Sequence, residues 1–195
     1  MIIVTETGER VSCVLTCHHS LSGMTNGNVC FSKANGEGGV QDVEDWFTLN
    51  PSLLLVTDSI LDICICALAD DTENETLSPS FARRHAFIPL IHDKNLDLLG
   101  EGVKCLHHPM ADPVLQKGNG NVVLDSYPVF FLHTISSSEH GSSGCPVMNS
   151  EGNVVGVTIA GNILSLKGEE ERMLYQASHI ASFVDILKRR GMRSL

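Results

Sequence analysis

Short apolar runs separated by turn residues are the feature that most limits the folds open to this chain. Gly, Asn, Asp or Ser stands between the runs, which occupy residues 11–16, 53–57, 62–68, 103–107, 122–124, 129–133 and 154–159. Such runs are typical of β-strands, and their recurrence predicts an all-β fold with many turns. Near the C-terminus, apolar residues recur at helical spacing, and a basic stretch and Gly191 follow them. These apolar residues are Ile180, Phe183, Val184, Ile186 and Leu187. This spacing predicts one closing helix.

A polar stretch at residues 69–80 divides the chain. It separates the strand run that ends at Leu68 from the runs that begin near Val103. Its Asp, Glu, Asn and Thr residues suit an exposed connection between two halves. At 195 residues the chain is long enough for two small halves that pack together. We therefore expect an N-terminal half at residues 1–80 and a C-terminal half at residues 81–195, which together form one unit.

The charge balance limits the classes of partner. Thirteen basic and 23 acidic residues give a net charge of −10, which disfavours binding to nucleic acid phosphates or to anionic lipid. A polypeptide substrate remains open. The N-terminus lacks the basic and apolar regions of a signal peptide, and no run approaches the length of a membrane span. The chain is therefore expected to be intracellular, in the cytoplasm or the nucleus.

The cysteines indicate a reducing compartment rather than a metal site. There are 7 of them, and most lie inside apolar runs, where cysteine acts as a small hydrophobic residue. A zinc site favours C-x-x-C pairs or Cys/His clusters at ligand spacing, and Cys64-Ile65-Cys66 is too tightly spaced for that. We expect no metal and no cofactor.

Residues 141–147 carry the strongest chemical signal. They read Gly-Ser-Ser-Gly-Cys-Pro-Val and lie between an apolar strand and a polar turn. An acyl-transfer enzyme presents its hydroxyl on a tight turn, with backbone N–H groups aimed at the developing oxyanion, and glycine permits the backbone conformations required. The pattern predicts Ser143 as nucleophile and the amides of Gly141 and Ser143 as oxyanion-hole donors. Considered alone, the same heptapeptide also suits an ordinary Gly/Ser-rich hairpin loop.

Two further segments complete a catalytic set. The apolar residues 14–17 lead to His19, which would place a general base at the end of a rigid strand. Asp62 opens the apolar run 62–68, and at the mouth of that strand it could accept the second imidazole N–H and orient the ring. His19 is therefore the candidate base and Asp62 the candidate orienting group. Either residue alone would be weak evidence.

The order His, Asp, Ser is the order found in chymotrypsin, and the segments resemble the trypsin-like serine protease family. Residues 14–19 resemble its strand that ends in Thr-Ala-Ala-His, residues 62–68 its Asp-Ile-Ala-Leu segment, and residues 141–147 its Gly-Asp-Ser-Gly-Gly-Pro loop. Residues 102–109 and 141–149 are similar to the intracellular and bacterial branch, whose members are not zymogens. The likeness covers most of residues 11–187.

The resemblance implies both a fold and an activity. In that family two six-stranded antiparallel barrels meet at a cleft and a helix closes the chain. His19 and Asp62 would lie on the first barrel and Ser143 on the second, and peptide bonds would be hydrolysed through an acyl-enzyme intermediate. The family's substrate-binding strand corresponds to Ile159, Ala160 and Gly161, and Ser137 would lie at the base of the specificity pocket.

Two departures from the family keep other interpretations open. Only 18 residues precede His19, so the opening strands of the first barrel are expected to be missing or replaced. That favours the alternative of an inactive or weakly active module that binds or scaffolds peptides. Cys145 suggests a cysteine protease, but family variants of that kind carry sulfur at the position of Ser143. The cysteine protease alternative is therefore disfavoured, because Cys145 does not occupy the nucleophile position.

Overall fold

Strands dominate the structure, which is a computed structural model. It describes residues 1–24, 27–34, 40–69, 97–108, 115–135, 141–164 and 172–194. The described helices are α1 (His18–Leu21) and α2 (Ile180–Arg189). The strands are β1 (Ile2–Val4), β2 (Arg10–Cys17), β3 (Gly27–Ala34), β4 (Val40–Asp58), β5 (Ile63–Ala69), β6 (Gly102–His107), β7 (Gln116–Ser126), β8 (Phe130–His133), β9 (Pro146–Met148), β10 (Val154–Leu164), β11 (Arg172–His179) and β12 (Arg193–Ser194). The predicted all-β class with a closing helix is confirmed.

The C-terminal strands form a closed barrel in the order β10-β11-β8-β7-β6-β9. Side chains alternate along β6, where Val103, Cys105 and His107 point inward and are buried. Phe131 on β8 and Val155 on β10 contribute to the same core. Each large apolar side chain of this kind stabilises the fold by about 1.5–3 kcal/mol when it leaves water. The barrel therefore gives the loops that it carries a rigid base.

The N-terminal strands form a sheet that is not closed. Its order is β12-β1-β2-β5-β4-β3, so the C-terminal strand β12 lies at one edge. Ile3 pairs with Ser194 and Val4 with Arg193. The first barrel, which was expected to be incomplete, is an open sheet, and two residues near the C-terminus pair with its strand β1. This pairing covers backbone groups of β1 that would otherwise form an open edge.

Helix α2 packs on the open sheet and also contacts the closed barrel through Met148 on β9 and Val154 on β10. The predicted apolar stripe is buried, and Phe183 and Leu187 lie in one core with Ile3, Ile63 and Ile65. The side chain of His179 accepts a hydrogen bond from the amide of Ala181 and caps the first turn of the helix. The C-terminal residues thus complete the core of the N-terminal sheet.

The predicted division at residue 80 lies outside the described residues and stays a prediction. Strand β5 ends at Ala69 and β6 begins at Gly102, so β1–β5 of the open sheet precede that segment and all strands of the closed barrel follow it. Neither described helix has the length and apolar character needed to cross a membrane.

Candidate active site

His19 lies where strand β2 changes into a helical turn. The strand ends at Cys17, whose backbone is extended with ψ 146°, and α1 begins at His18. Cys17 pairs with Ile63 on β5, so Asp62 lies just beyond the last pair of the β2–β5 ladder. The amide of His18 donates to the Asp62 carbonyl at 3.0 Å and closes this end of the sheet. Sheet pairing therefore brings two candidate site residues together.

Asp62 holds His19 by two hydrogen bonds. The His19 amide donates to Asp62 Oδ1 at 2.8 Å, and His19 Nδ1 lies 2.5 Å from Asp62 Oδ2. Asp62 has φ 52°, a left-handed conformation that Asp adopts more easily than most residues. A carboxylate at Nδ1 keeps the imidazole proton on that nitrogen and leaves Nε2 able to accept another. The His19 side chain is 50% exposed, so the ring borders solvent.

The turn that carries Asp62 is fixed from both sheets. Asp58 Oδ1 accepts hydrogen bonds from the amides of Ile60 and Leu61, each at 2.9 Å. Ser178 Oγ, on β11 of the closed barrel, donates to the Leu61 carbonyl. The orienting carboxylate is therefore tied to the barrel that carries Ser143. Sequence analysis did not identify Ser178, because no local pattern links residues 117 positions apart.

The loop that carries Ser143 is folded by its own backbone bonds. The Gly144 amide donates to the Thr158 carbonyl at 2.8 Å, and the Thr158 amide donates to the Cys145 carbonyl at 2.9 Å. The Cys145 amide donates to the Ser142 carbonyl at 3.2 Å. Within the described chain the Ser143 amide has no acceptor. It is therefore available to an oxyanion, the role expected for it. Gly141, the second expected donor, is exposed and has φ 93°, a backbone conformation that favours glycine.

A buried side-chain pair anchors the same loop. Ser142 Oγ lies 2.5 Å from Nδ1 of His107, and both residues are buried. Burial lowers the pKa of His107, which favours a neutral imidazole bonded to a neutral hydroxyl. The pair ties the residue before Ser143 to strand β6 of the barrel. Sequence analysis missed it, since a histidine at a barrel position carries no signal for its partner.

The Ser143 loop lies against the strand that leads to His19. A Cβ atom built on Gly144, which has φ +84°, would stand 2.2 Å from Thr16 Oγ1 and 3.3 Å from the Cys17 amide nitrogen. Only glycine allows so close an approach. The described residues contain no hydrogen bond between Ser143 and His19, and Nε2 of His19 lies 3.7 Å from Cys17 Sγ instead. The structure thus bonds two of the three candidates and places Gly144, next to the third, against the strand that leads to His19.

Two cysteines lie near the candidate residues, and neither is exposed. Cys17 is fully buried, and burial raises the pKa of its thiol. Cys145 is half-buried and packs on the barrel core, where a hydrogen bond from Cys105 lowers its pKa. Its sulfur thus faces the core.

Comparison with known proteins identifies the family. The model of the trypsin-like peptidase domain matches residues 2–157. The chain belongs to the trypsin-like peptidase domain family. The resemblance noted from the sequence is thereby confirmed. No curated protein matches this peptidase domain closely enough to count as a relative.

Solved structures show the same fold for this peptidase domain. The apo MamO protease domain from Magnetospirillum magneticum aligns with a TM-score of 0.58 at 17% identity, covering 90% of this chain and 82% of that one. The serine endoprotease from Yersinia pestis aligns with a TM-score of 0.55 at 18% identity, covering 91% of this chain and 53% of that one. The peptidase domain thus spans about half the length of the Yersinia protein.

The expected substrate-binding strand of the peptidase domain leads away from the Ser143 loop. Ile159, Ala160 and Gly161 follow Thr158 on β10, and the ladder with β11 shifts register between Thr158 and Ala160. Strand β9 pairs with β10 only as far as Val157. Among the described strands, β11 alone pairs with this part of β10. Ser137 lies outside the described residues.

Replacing Gly144 with alanine should destabilise the peptidase domain more than the same change at Gly152. Both glycines have positive φ, +84° and +88°, so each change costs about 1–2 kcal/mol of backbone strain. A Cβ at Gly152 meets open space, whereas one at Gly144 collides with Thr16 and adds about 1–3 kcal/mol of overpacking. Urea unfolding of both variants measures the difference. Adding Thr16→Ala should restore part of the loss at Gly144, and equal losses at both glycines would contradict the close approach.

Proposed function

We propose that the chain is a serine endopeptidase that hydrolyses polypeptides through an acyl-enzyme intermediate. Ser143 is the nucleophile and His19 the general base. Asp62 orients His19, and the amides of Gly141 and Ser143 hold the oxyanion. The proposal needs no cofactor.

The two-point attachment of His19 to Asp62 is the observation that carries the proposal. Asp62 contacts the His19 ring at 2.5 Å and also accepts a hydrogen bond from the His19 amide at 2.8 Å. An ordinary surface ion pair would not require the second of these bonds. Together the two bonds fix both the backbone and the ring plane, so that Nε2 is the only ring nitrogen free for proton transfer. Further support comes from Gly144 in the Ser143 loop, which lies against Thr16. Thr16 lies two residues before His18, where α1 begins.

The chemistry follows from these positions. Nε2 of His19 takes the proton of Ser143 as the oxygen attacks the substrate carbonyl, and the Asp62 carboxylate stabilises the imidazolium that forms. The carbonyl oxygen becomes negative, and N–H groups that are already free, such as the Ser143 amide, stabilise it without reorganisation. His19 then gives its proton to the leaving amine. A water molecule releases the acyl group by the same steps in reverse order.

Attack requires a hydrogen bond between Ser143 and His19 Nε2, a contact that the described residues do not contain. In an unliganded enzyme catalytic hydrogen bonds are often long and shorten only when substrate binds. Ser142 and Thr158 hold the Ser143 loop in place, and the two bonds to Asp62 hold the half-exposed His19. We therefore expect an extended peptide bound along Ile159–Gly161 to complete the His19–Ser143 contact.

A peptide-binding module with little or no turnover is the second candidate function. The open N-terminal sheet favours it, because His19 and Asp62 are carried by the sheet that is not closed. The side of β10 that no described strand pairs with would bind a peptide equally well in either case. The two candidates differ only in whether Ser143 is activated.

Covalent labelling separates the two. A fluorophosphonate probe is expected to modify Ser143, with mass spectrometry of the labelled peptide as the readout, because only an activated serine reacts. The Ser150→Ala variant, which removes an exposed serine of a nearby turn, should label as the wild type does. Labelling that survives Ser143→Ala and is lost in Cys145→Ala would move the nucleophile to sulfur. Absence of labelling in the folded wild-type chain would favour the binding module.

A further inference from the structure

A thiol and an imidazole nitrogen face each other at the end of β2. Cys17 Sγ lies 3.7 Å from His19 Nε2, and Asp62 is the third member of a group whose potential ligand atoms lie within 4.8 Å of one another. The residues are brought together because the strand ends at Cys17 and a helical turn begins at His18. Peptide hydrolysis has no use for the thiol at this position.

The distance between Cys17 Sγ and His19 Nε2 fits a cation with tetrahedral coordination. With a Zn–S bond of about 2.3 Å, a Zn–N bond of about 2.0–2.1 Å and a tetrahedral angle, the two ligand atoms lie about 3.5 Å apart. The observed separation is 3.7 Å. We propose that Cys17 Sγ and His19 Nε2 bind a thiophilic divalent cation of the zinc type, with water completing the coordination.

Asp62 supplies the support that metal-binding histidines usually have. A histidine that binds metal through one nitrogen donates its other N–H to a carboxylate, which fixes the ring and raises its basicity. Asp62 Oδ2 at 2.5 Å from His19 Nδ1 provides this arrangement, and the His19 amide holds the other carboxylate oxygen. Asp62 is therefore a positioning residue for the cation and not a ligand.

The sulfur can be reached although Cys17 is buried. Two of the groups in contact with it, the His19 ring and Ser20 Oγ at 2.8 Å, belong to exposed residues. A cation can therefore enter from the solvent side by displacing Ser20 Oγ. The thiol loses its proton to solvent as the metal–sulfur bond forms, so the site exchanges one proton for one cation.

Occupancy of the site would inhibit the proposed peptidase. The cation binds the lone pair of Nε2, which is the atom that takes the Ser143 proton. The inhibitory effect rests on the proposed function, whereas binding of the cation does not.

Calorimetric titration with Zn²⁺ under reducing conditions tests the site without any activity measurement. The wild-type chain should bind one ion, and Cys17→Ser, which nearly keeps the volume, should weaken binding at least about 100-fold. Asp62→Ala should weaken it by about 10–100-fold, as the loss of a supporting carboxylate does. Titration with Co²⁺ should give a thiolate-to-metal absorption band in the near ultraviolet that is absent in Cys17→Ser and Cys17→Ala.

Matched controls make the result specific. Cys64→Ala removes a buried thiol that contacts the Cys17 carbonyl at 3.6 Å and not His19, and it should bind Zn²⁺ as the wild type does. Cys145→Ala, which changes a cysteine packed on the closed barrel, should also leave Zn²⁺ binding unchanged. Wild-type affinity in a folded Cys17→Ser variant, or an equal loss in Cys64→Ala, would overturn the proposal. Zn²⁺ binding at Cys17 without inhibition of an active chain would contradict the role of Nε2 in catalysis and leave the cation site in place.

Discussion

Replacing Ser143 with alanine is expected to lower kcat for peptide hydrolysis on the order of 10⁴-fold or more, which is the scale seen when a triad nucleophile is removed. The acyl-enzyme cannot form without the hydroxyl. The variant keeps only a smaller rate enhancement, because the free amides can still stabilise the oxyanion that forms when water attacks the substrate. Turnover of a fluorogenic peptide library, followed with purified wild-type and variant chains, measures this loss.

Stability should scarcely change in the same variant. Ser143 is half-buried, and in the described structure its hydroxyl has no hydrogen-bond partner whose loss would cost free energy. We expect a difference in unfolding free energy within about 0.5 kcal/mol, as for substitutions away from buried networks. Ser150→Ala serves as the control for activity and should keep the wild-type rate. A Ser143→Ala variant that hydrolyses peptides as fast as the wild type would exclude a serine mechanism.

The parts of the site that could be predicted from the sequence are those encoded locally. The apolar runs before His19 and after Asp62 have the length and composition of strands, and β2 and β5 lie there. The glycines around Ser143 predict a tight turn, and Gly144 has the positive φ that such a turn requires. The closing helix was predictable because its apolar spacing is regular and a glycine follows its basic end.

The contacts that could not be predicted join residues far apart in the chain. Pairing of β1 with β12 involves a three-residue and a two-residue strand, too short to give a periodic signal. The bond between His107 and Ser142 depends on how β6 and the Ser143 loop are placed by the closed barrel. The approach of Cys17 to His19 arises because a helical turn replaces the extended backbone after Cys17. Strand periodicity alone does not predict that helical turn.

Asp62→Asn should reduce peptide turnover nearly as strongly as loss of the nucleophile, while the fold stays intact. Asparagine tolerates positive φ, so the backbone at φ 52° is preserved, and its carbonyl oxygen can still accept from the His19 amide. The amide nitrogen then faces His19 Nδ1 and donates to it. The ring proton is thereby forced onto Nε2, and His19 can no longer accept the proton of Ser143.

We expect kcat to fall on the order of 10⁴-fold in Asp62→Asn, the scale known for a triad histidine held in the wrong tautomer. Nitrogen-15 chemical shifts of His19 report the tautomer directly, and thermal unfolding reports the fold. Asp58→Asn is the matched control: its oxygen caps the same turn by accepting from Ile60 and Leu61 but does not contact His19. That variant should keep both activity and tautomer. Turnover in Asp62→Asn within about tenfold of the wild-type rate would mean that the carboxylate serves only to hold the His19 backbone, because the protonation state of the ring would then not limit the reaction.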